Sequence, residues 1–418
     1  MQNVLITGAN FANKGAQAML FTTVSEIRSR CPHANIYYTT REHFSVSKQF
    51  RFTALDKYTF LNAFERKAGK KKSFMFFLEA TKQALRSFLK RNYGALYSDY
   101  QYIPLIDNLD LIFDVSGYNL SSAFSIDANE YYLKIIVCAH KCNIPIILLP
   151  QSFGPFDYGE TRSPYIQNMR KILQYPLLIF AREKSGYELL SKKCKLKNTM
   201  LSNDLVLQNK AIHWDFICET EAMPHVDLKI ASANNIAIIP NTKILDKCAH
   251  IDMYSLYSGV ITALLQSHKS VYLIYHSAED YVICKNIKRE FISESSVILM
   301  PQELNCYDYT NIITRFDYII ASRFHSIVHA FKQNIPCLGL GWADKYMELF
   351  ESLGQQDYIL DMRNEITLEN ILTCLKSLDH NYMSEKRVIE NRLKDLQRHN
   401  CFDLIFEKLQ NRESIYEA

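Results

Sequence analysis

The run Tyr318-Ile319-Ile320-Ala321-Ser322-Arg323-Phe324-His325-Ser326 sets an arginine and a histidine two residues apart, directly after an apolar stretch. Tyr318–Ala321 reads as a buried strand and His325–Lys332 as a helix, so Arg323 and His325 fall at a helix N-terminus. Free N–H groups and the helix dipole favour an anion there. Arginine adds a planar fork for phosphate or carboxylate, and an imidazole is a proton donor near neutral pH. An acid beside an anion clamp suits a phosphate leaving group; the same pair would also serve as a local cap and salt bridge. His325 and His329 are four apart, but Ser326 stands where a zinc-protease helix has glutamate, and no Cys or Asp cluster accompanies them. No metal site is expected.

Other candidates also follow apolar runs. Gly8 to Gln17 (GANFANKGAQ) opens a helix but is neither GxGxxG nor a P-loop. Asn13 and Gln17 could meet sugar hydroxyls, and Asn13 could equally be a helix cap. Asp114 precedes Ser116-Gly117-Tyr118-Asn119, and Gln151-Ser152-Phe153-Gly154-Pro155 follows Ile144–Pro150. Arg182, after Leu177–Ala181, is a second candidate anion clamp, and Asp204 either caps or faces a ligand. No GxSxG elbow supports a hydrolase triad.

Short β-rich runs alternating with helical patterns are the mark of parallel α/β units. Val4–Thr7, Ile36–Thr39, Leu109–Val115, Ile144–Leu149 and Leu177–Ala181 form one series. Ile236–Ile239, Val271–Tyr275, Val297–Leu299, Tyr318–Ala321 and Cys337–Leu340 form another. Their continuous apolar character predicts sheets covered on both faces. The expected fold is α/β, two doubly wound Rossmann-like domains facing a cleft. The expected layout is an acceptor-side domain over 1–205, a linker over 206–232, a donor-side domain over 233–380 and a helical segment over 381–418. In such sheets, ligands bind beyond the carboxyl ends of strands, where these candidates lie.

With 48 Lys+Arg against 44 Asp+Glu, the net charge of +4 over 418 residues gives no reason to expect nucleic-acid binding. Residues 66–91 depart from that balance, with nine basic residues and only Glu79 opposing. Phe74, Phe77, Leu78, Leu85 and Phe88 recur at helical spacing opposite Lys82, Arg86 and Lys90. This reads either as a surface helix with a solvated basic face or as a peripheral contact with an anionic membrane. Eleven cysteines without a CxxC pair, and no basic n-region or long apolar run, predict a cytoplasmic protein, with peripheral contact at the inner membrane face as an added expectation.

Asn13-Lys14-Gly15, Gln151–Pro155, Ala181-Arg182-Glu183, Asp204, Ser322–Ser326 with Ala330 and Ile335-Pro336, and Lys345 form an ordered set over most of the chain. This set resembles the polysaccharide pyruvyl transferase family. The resemblance implies a glycosyltransferase-B-like fold. It also implies a pyruvyl group moved from phosphoenolpyruvate onto a sugar of a surface polysaccharide or exopolysaccharide precursor, forming a ketal. On that reading, Arg182, Arg323 and Lys345 hold phosphoenolpyruvate, with Arg182 and Arg323 on opposite walls of the cleft, and His325 is the general acid. Asn13, Gln17, Asp114, Gln151 and Asp204 line the acceptor side, the acceptor being a free or lipid-linked oligosaccharide, and phosphoenolpyruvate is a donor substrate with no cofactor. The family's usual Asp-Glu after Asn-x-Gly is replaced here by Ala16-Gln17. The alternatives are a glycosyltransferase of the same architecture using a nucleotide sugar, and a non-catalytic glycan-binding member of a polysaccharide assembly complex.

Overall fold

The computed structural model describes residues 1–11, 13–41, 50–69, 99–159, 163–218, 230, 233–300 and 304–416. Contacts divide the chain into two compact units. Met1–Asn10, Leu20–Ser202 and Ile212–Met223 form the first; Phe11–Met19, Asn203–Ala211 and Pro224–Ala418 form the second. This differs from the layout read from sequence, because residues 11–19 group with the second unit. The tie is local: the Gln17 amide oxygen accepts the backbone N–H of Cys306 at 3.0 Å, and Lys14 reaches the carbonyl of His276. The basic segment is described only to residue 69; its remainder lies outside the described residues.

The first unit holds a seven-stranded parallel sheet. Its strands are β1 (Asn3–Thr7), β2 (Asn35–Thr40), β3 (Thr53–Asp56), β4 (Leu111–Asp114), β5 (Ile146–Gln151), β6 (Leu178–Ala181) and β7 (Thr199–Leu201), in the order β3-β2-β1-β4-β5-β6-β7. The second holds β8 (Asn235–Ile239), β9 (Ser270–Leu273), β10 (Val297–Leu299), β11 (Tyr318–Ala321), β12 (Cys337–Gly341) and β13 (Ile359–Asp361), in the order β10-β9-β8-β11-β12-β13. Each is a doubly wound Rossmann-like arrangement, in which the order reverses between β1 and β4 and between β8 and β11. Thr7 pairs with Asp114, and Ile239 with Ala321, so the chain leaves each reversal point at the same edge of its sheet.

These strands form because apolar residues on both faces find cover. Leu5, Ile112, Ile146, Leu148 and Ile179 are buried in the first unit's core; Ile236, Ile238, Ile319 and Leu338 are buried in the second. Each such side chain contributes roughly 1.5–3 kcal/mol by leaving water. Truncating a central one, as in Ile112→Ala, is expected to cost about 2–5 kcal/mol through the cavity left behind. The C-terminal helical pattern is interrupted: helix Leu368–Leu396 begins at a Thr367 capping box with Asn370, and helix Cys401–Tyr416 follows after a break at 397–400. Among the described residues, no helix is long and apolar enough to cross a membrane.

Candidate active site

In the second unit, β11 ends at Ala321 and helix Phe324–Lys332 begins three residues later, with Arg323 at its N-cap position. Arg323 has the extended backbone of an N-cap residue, but its guanidinium has no acceptor to offer the helix N–H groups. Instead, Nε donates to Asp280 Oδ2 at 2.7 Å, and Nη2 donates to Asp280 Oδ1 at 2.7 Å, Ser277 Oγ at 2.9 Å and Glu279 Oε1 at 2.5 Å. Asp280 is fully buried and also accepts from the backbone N–H and hydroxyl of Thr242 and from the N–H and hydroxyl of Ser277. One carboxylate therefore ties together the segments that follow β8, β9 and β11. Burial disfavours the charged Arg323, but Asp280 and Glu279 outweigh it and hold the guanidinium above its ordinary pKa. The bidentate edge of the fork expected to clamp a ligand is thus spent on Asp280. Nη1 makes no hydrogen bond among the described residues and is the donor left for an anion.

His325 lies at the second position of the same helix and is half-buried. Its ring lies flush on Gly15: a Cβ added there would sit 2.1 Å from His325 Cγ and 2.3 Å from Nδ1. Asn-x-Gly and Arg-x-His, 310 residues apart, are therefore in contact, and only glycine leaves space for the imidazole. Phe324 flanks His325 edge-on at 5.5 Å, and Lys345 Nζ stands 5.1 Å from the Phe324 ring and 5.5 Å from Trp342. A cation held on aromatic faces beside the histidine adds positive field at this helix start.

The remaining second-unit candidates are structural. Asn13 Oδ1 accepts from the N–H groups of Gly15 and Ala16, capping helix Lys14–Arg30. Gln17 does not offer its amide to a sugar: Nε2 donates to Phe11 O at 2.7 Å while Oε1 holds Cys306 N. Asp204 is buried and caps helix Leu205–Gln208 through Val206 N at 3.0 Å.

Below His325 is a layer that sequence reasoning missed. Lys14 is buried and donates to His276 O at 2.6 Å. The Tyr309 hydroxyl donates to Ser326 Oγ at 2.8 Å, and Ser326 Oγ lies 3.0 Å from His276 Nδ1. Burial, with Lys14 nearby, pushes His276 well below the usual histidine range and His329 down to about 4, so both are neutral near pH 7. Asp280 and Ser277 did carry a signal: Ser277-Ala278-Glu279-Asp280 follows an apolar strand with capping-box spacing. Among the described residues, no group of three or more His, Cys, Asp or Glu is placed to hold a metal ion.

In the first unit, Asp114 ends β4, buried, and accepts from the Thr7 hydroxyl (2.9 Å), Ser116 Oγ (2.9 Å), Ser116 N (3.2 Å) and Gln151 Nε2 (3.2 Å). Burial pushes its carboxyl up, and these donors draw it part of the way back. Gln151 is fully buried and accepts from the Tyr132 hydroxyl at 3.0 Å, so it supports Asp114 and does not face solvent. Arg182 is buried too. Nε pairs with Glu183 Oε1 at 2.8 Å, and Nη2 donates to Ser152 Oγ at 2.5 Å. Glu183 already compensates this cation, unlike the open clamp expected from sequence.

Two parallel Rossmann-like sheets, each with its polar groups gathered where the strand order reverses, define an α/β protein of the glycosyltransferase-B type. Solved structures of this fold align over nearly the whole chain. S. aureus MnaA with UDP gives a TM-score of 0.55 at 11% identity, covering 93% of this chain and 91% of that one. UDP-GlcNAc 2-epimerase from Neisseria meningitidis, bound to UDP-GlcNAc, gives 0.55 at 13%, covering 98% and 100%. A glycosyltransferase from Rickettsia africae gives 0.52 at 10%, covering 98% and 97%. No curated protein sequence matches the chain significantly. Residues 13–344 match the family model for polysaccharide pyruvyl transferase, and the chain belongs to that family.

Proposed function

We propose that this protein transfers a pyruvyl group from phosphoenolpyruvate to two hydroxyls of a sugar in a polysaccharide or its precursor, forming a pyruvate ketal. The observation that carries this reading is the seating of His325 on Gly15, two residues from Arg323, with family membership over residues 13–344 behind it. In the reaction, the enol carbon takes a proton, one sugar hydroxyl adds to C2, and the C2–O bond to phosphate breaks. The second hydroxyl then closes the ketal; of the two protons the hydroxyls give up, one balances the proton kept by the new methyl group and the other leaves with phosphate.

Arg323 Nη1 and Lys345 bind the donor's anionic groups, and His325 delivers the proton to the departing phosphate. A positioned acid of this kind is worth typically ~100–10,000-fold in rate. Arg323 is suited to the task because Asp280 fixes its plane before the donor arrives, so little freedom is lost on binding. Arg182 acts within its own buried pair and not on the donor.

Phosphate release from phosphoenolpyruvate, measured with free and lipid-linked oligosaccharides, tests the reading; no release with any acceptor would overturn it. A nucleotide-sugar donor is separated from phosphoenolpyruvate in a thermal melt. A ligand at 100 times its Kd stabilises by roughly 2.7 kcal/mol, and only phosphoenolpyruvate is expected to do so.

A further inference from the structure

We propose that the carboxyl edge of the first unit's sheet, around Arg41 and Lys57, is a binding site for the phosphoryl group of a sugar phosphate. Thr40 and Asp56 are paired at the ends of β2 and β3, so Arg41 and Lys57 leave the sheet side by side. Both cations converge on one ring: Arg41 Cζ lies 5.8 Å and Lys57 Nζ 5.2 Å from the centroid of Tyr131, and Arg41 also lies 5.1 Å from Tyr58. Two like charges gathered around one aromatic ring repel each other, as the effect of Arg41 on Lys57 shows. Lys57 is moreover the first residue of helix Lys57–Lys67, directly after the capping Asp56, and no acidic residue lies in the helix's first turn.

Three described carboxylates of this unit are otherwise engaged. Asp56 accepts from Thr59 N at 2.7 Å and Thr59 Oγ1 at 2.6 Å as the helix cap. Glu65 pairs with Lys134 at 3.1 Å, and Asp114 is enclosed by Thr7, Ser116 and Gln151. Neither Arg41 nor Lys57 has an ion-pair partner among the described residues. Burial first, and Arg41 second, pull the ammonium of Lys57 down to about 8 against the opposing pull of Asp114. A dianion supplies the missing charge. Beside it lies the point where β1 and β4 part, the place at which such sheets bind ligands. The phosphoryl half rests on this geometry, and the sugar half rests on family membership.

Isothermal titration of the full-length protein with glucose 1-phosphate, inorganic phosphate and glucose tests the site. Glucose 1-phosphate is expected to bind most tightly, and Lys57→Gln and Arg41→Gln each to weaken it about tenfold, as for loss of one charged hydrogen bond. Saturating phosphoenolpyruvate is expected to leave it unchanged, which separates this site from the donor site. Wild-type affinity in the Lys57→Gln/Arg41→Gln double variant would overturn the proposal. Equal affinity for inorganic phosphate would overturn the sugar half. Should those variants fail to fold, the wild-type pH profile still decides. Binding a dianion draws a proton onto Lys57, so affinity is expected to fall as pH rises above about 8; a flat profile to about pH 10 would overturn the proposal. Pyruvyl transfer is measured separately, so loss of either result leaves the other standing.

Discussion

Asp114 at the end of β4 and Asp280 beyond the end of β9 are both buried carboxylates at the carboxyl edge of a parallel sheet, and they are held by different donors. Asp280 is bound by the Arg323 guanidinium, so the cation there is compensated and fixed. Asp114 is bound by hydroxyls and amides, while Lys57 and Arg41 have no ion-pair partner among the described residues. One strand order therefore delivers two electrostatic settings. The second unit's edge holds an oriented donor group, and the first unit's edge carries two cations without an ion-pair partner among the described residues.

Asp280→Asn breaks the contrast most severely. Removing one member of a buried pair leaves the other charge uncompensated, at about 3–5 kcal/mol. Urea unfolding should show that loss, whereas Asp114→Asn, whose carboxylate makes no ion pair among the described residues and acts on Lys57 only at a distance, should cost only about 1–3 kcal/mol. Equal costs would mean that the two carboxylates do the same job.

Next in size is His325→Gln, which keeps hydrogen bonding but removes the titratable proton. A fall of roughly 100-fold in kcat is expected, with donor affinity changed much less. A raised KM at normal kcat would reduce His325 to a binding group.

Gly15→Ala sharpens the comparison at a single methyl group. Alanine normally gains about 0.5–1 kcal/mol over glycine within a helix. Here the methyl meets the His325 ring, and overpacking costs about 1–3 kcal/mol, so a net loss in Tm is expected together with reduced turnover. A rise in Tm would show that the ring yields freely.

The smallest effect is on pH dependence. Lys57 is drawn below its unfolded value, so its contribution to stability is present above about pH 10.5 and lost as pH falls through about 8. Relative to Lys57→Gln, the wild type should therefore lose stability over that interval, by an amount on the order of 1 kcal/mol. Equal and parallel curves would place the amine in water.

The central strands were legible because both of their faces are apolar, as in Ile236–Ile239 or Ile146–Leu149. Thr53–Asp56, Thr199–Leu201 and Ile359–Asp361 were not, since each is an edge strand of three or four residues with little apolar run to read. Arg323 and His325 could be singled out from their place after a strand, whereas the partner of Arg323 is 43 residues away and no local pattern joins them. The same limit explains Gln17, whose amide is taken by Cys306, 289 residues on. Long-range pairing decides whether a polar side chain is offered to a ligand or used internally.

Residues 11–19 group with the second unit, and Gly15 forms the floor under His325. The unit that carries Arg-x-His is therefore assembled from segments far apart in sequence and is not a module that recombination can move as one block. Exchanging only the C-terminal half between two relatives would seat a foreign histidine on the resident Asn-x-Gly turn. Chimaeras of this fold should retain activity only when residues 11–19 travel with residues 224–418.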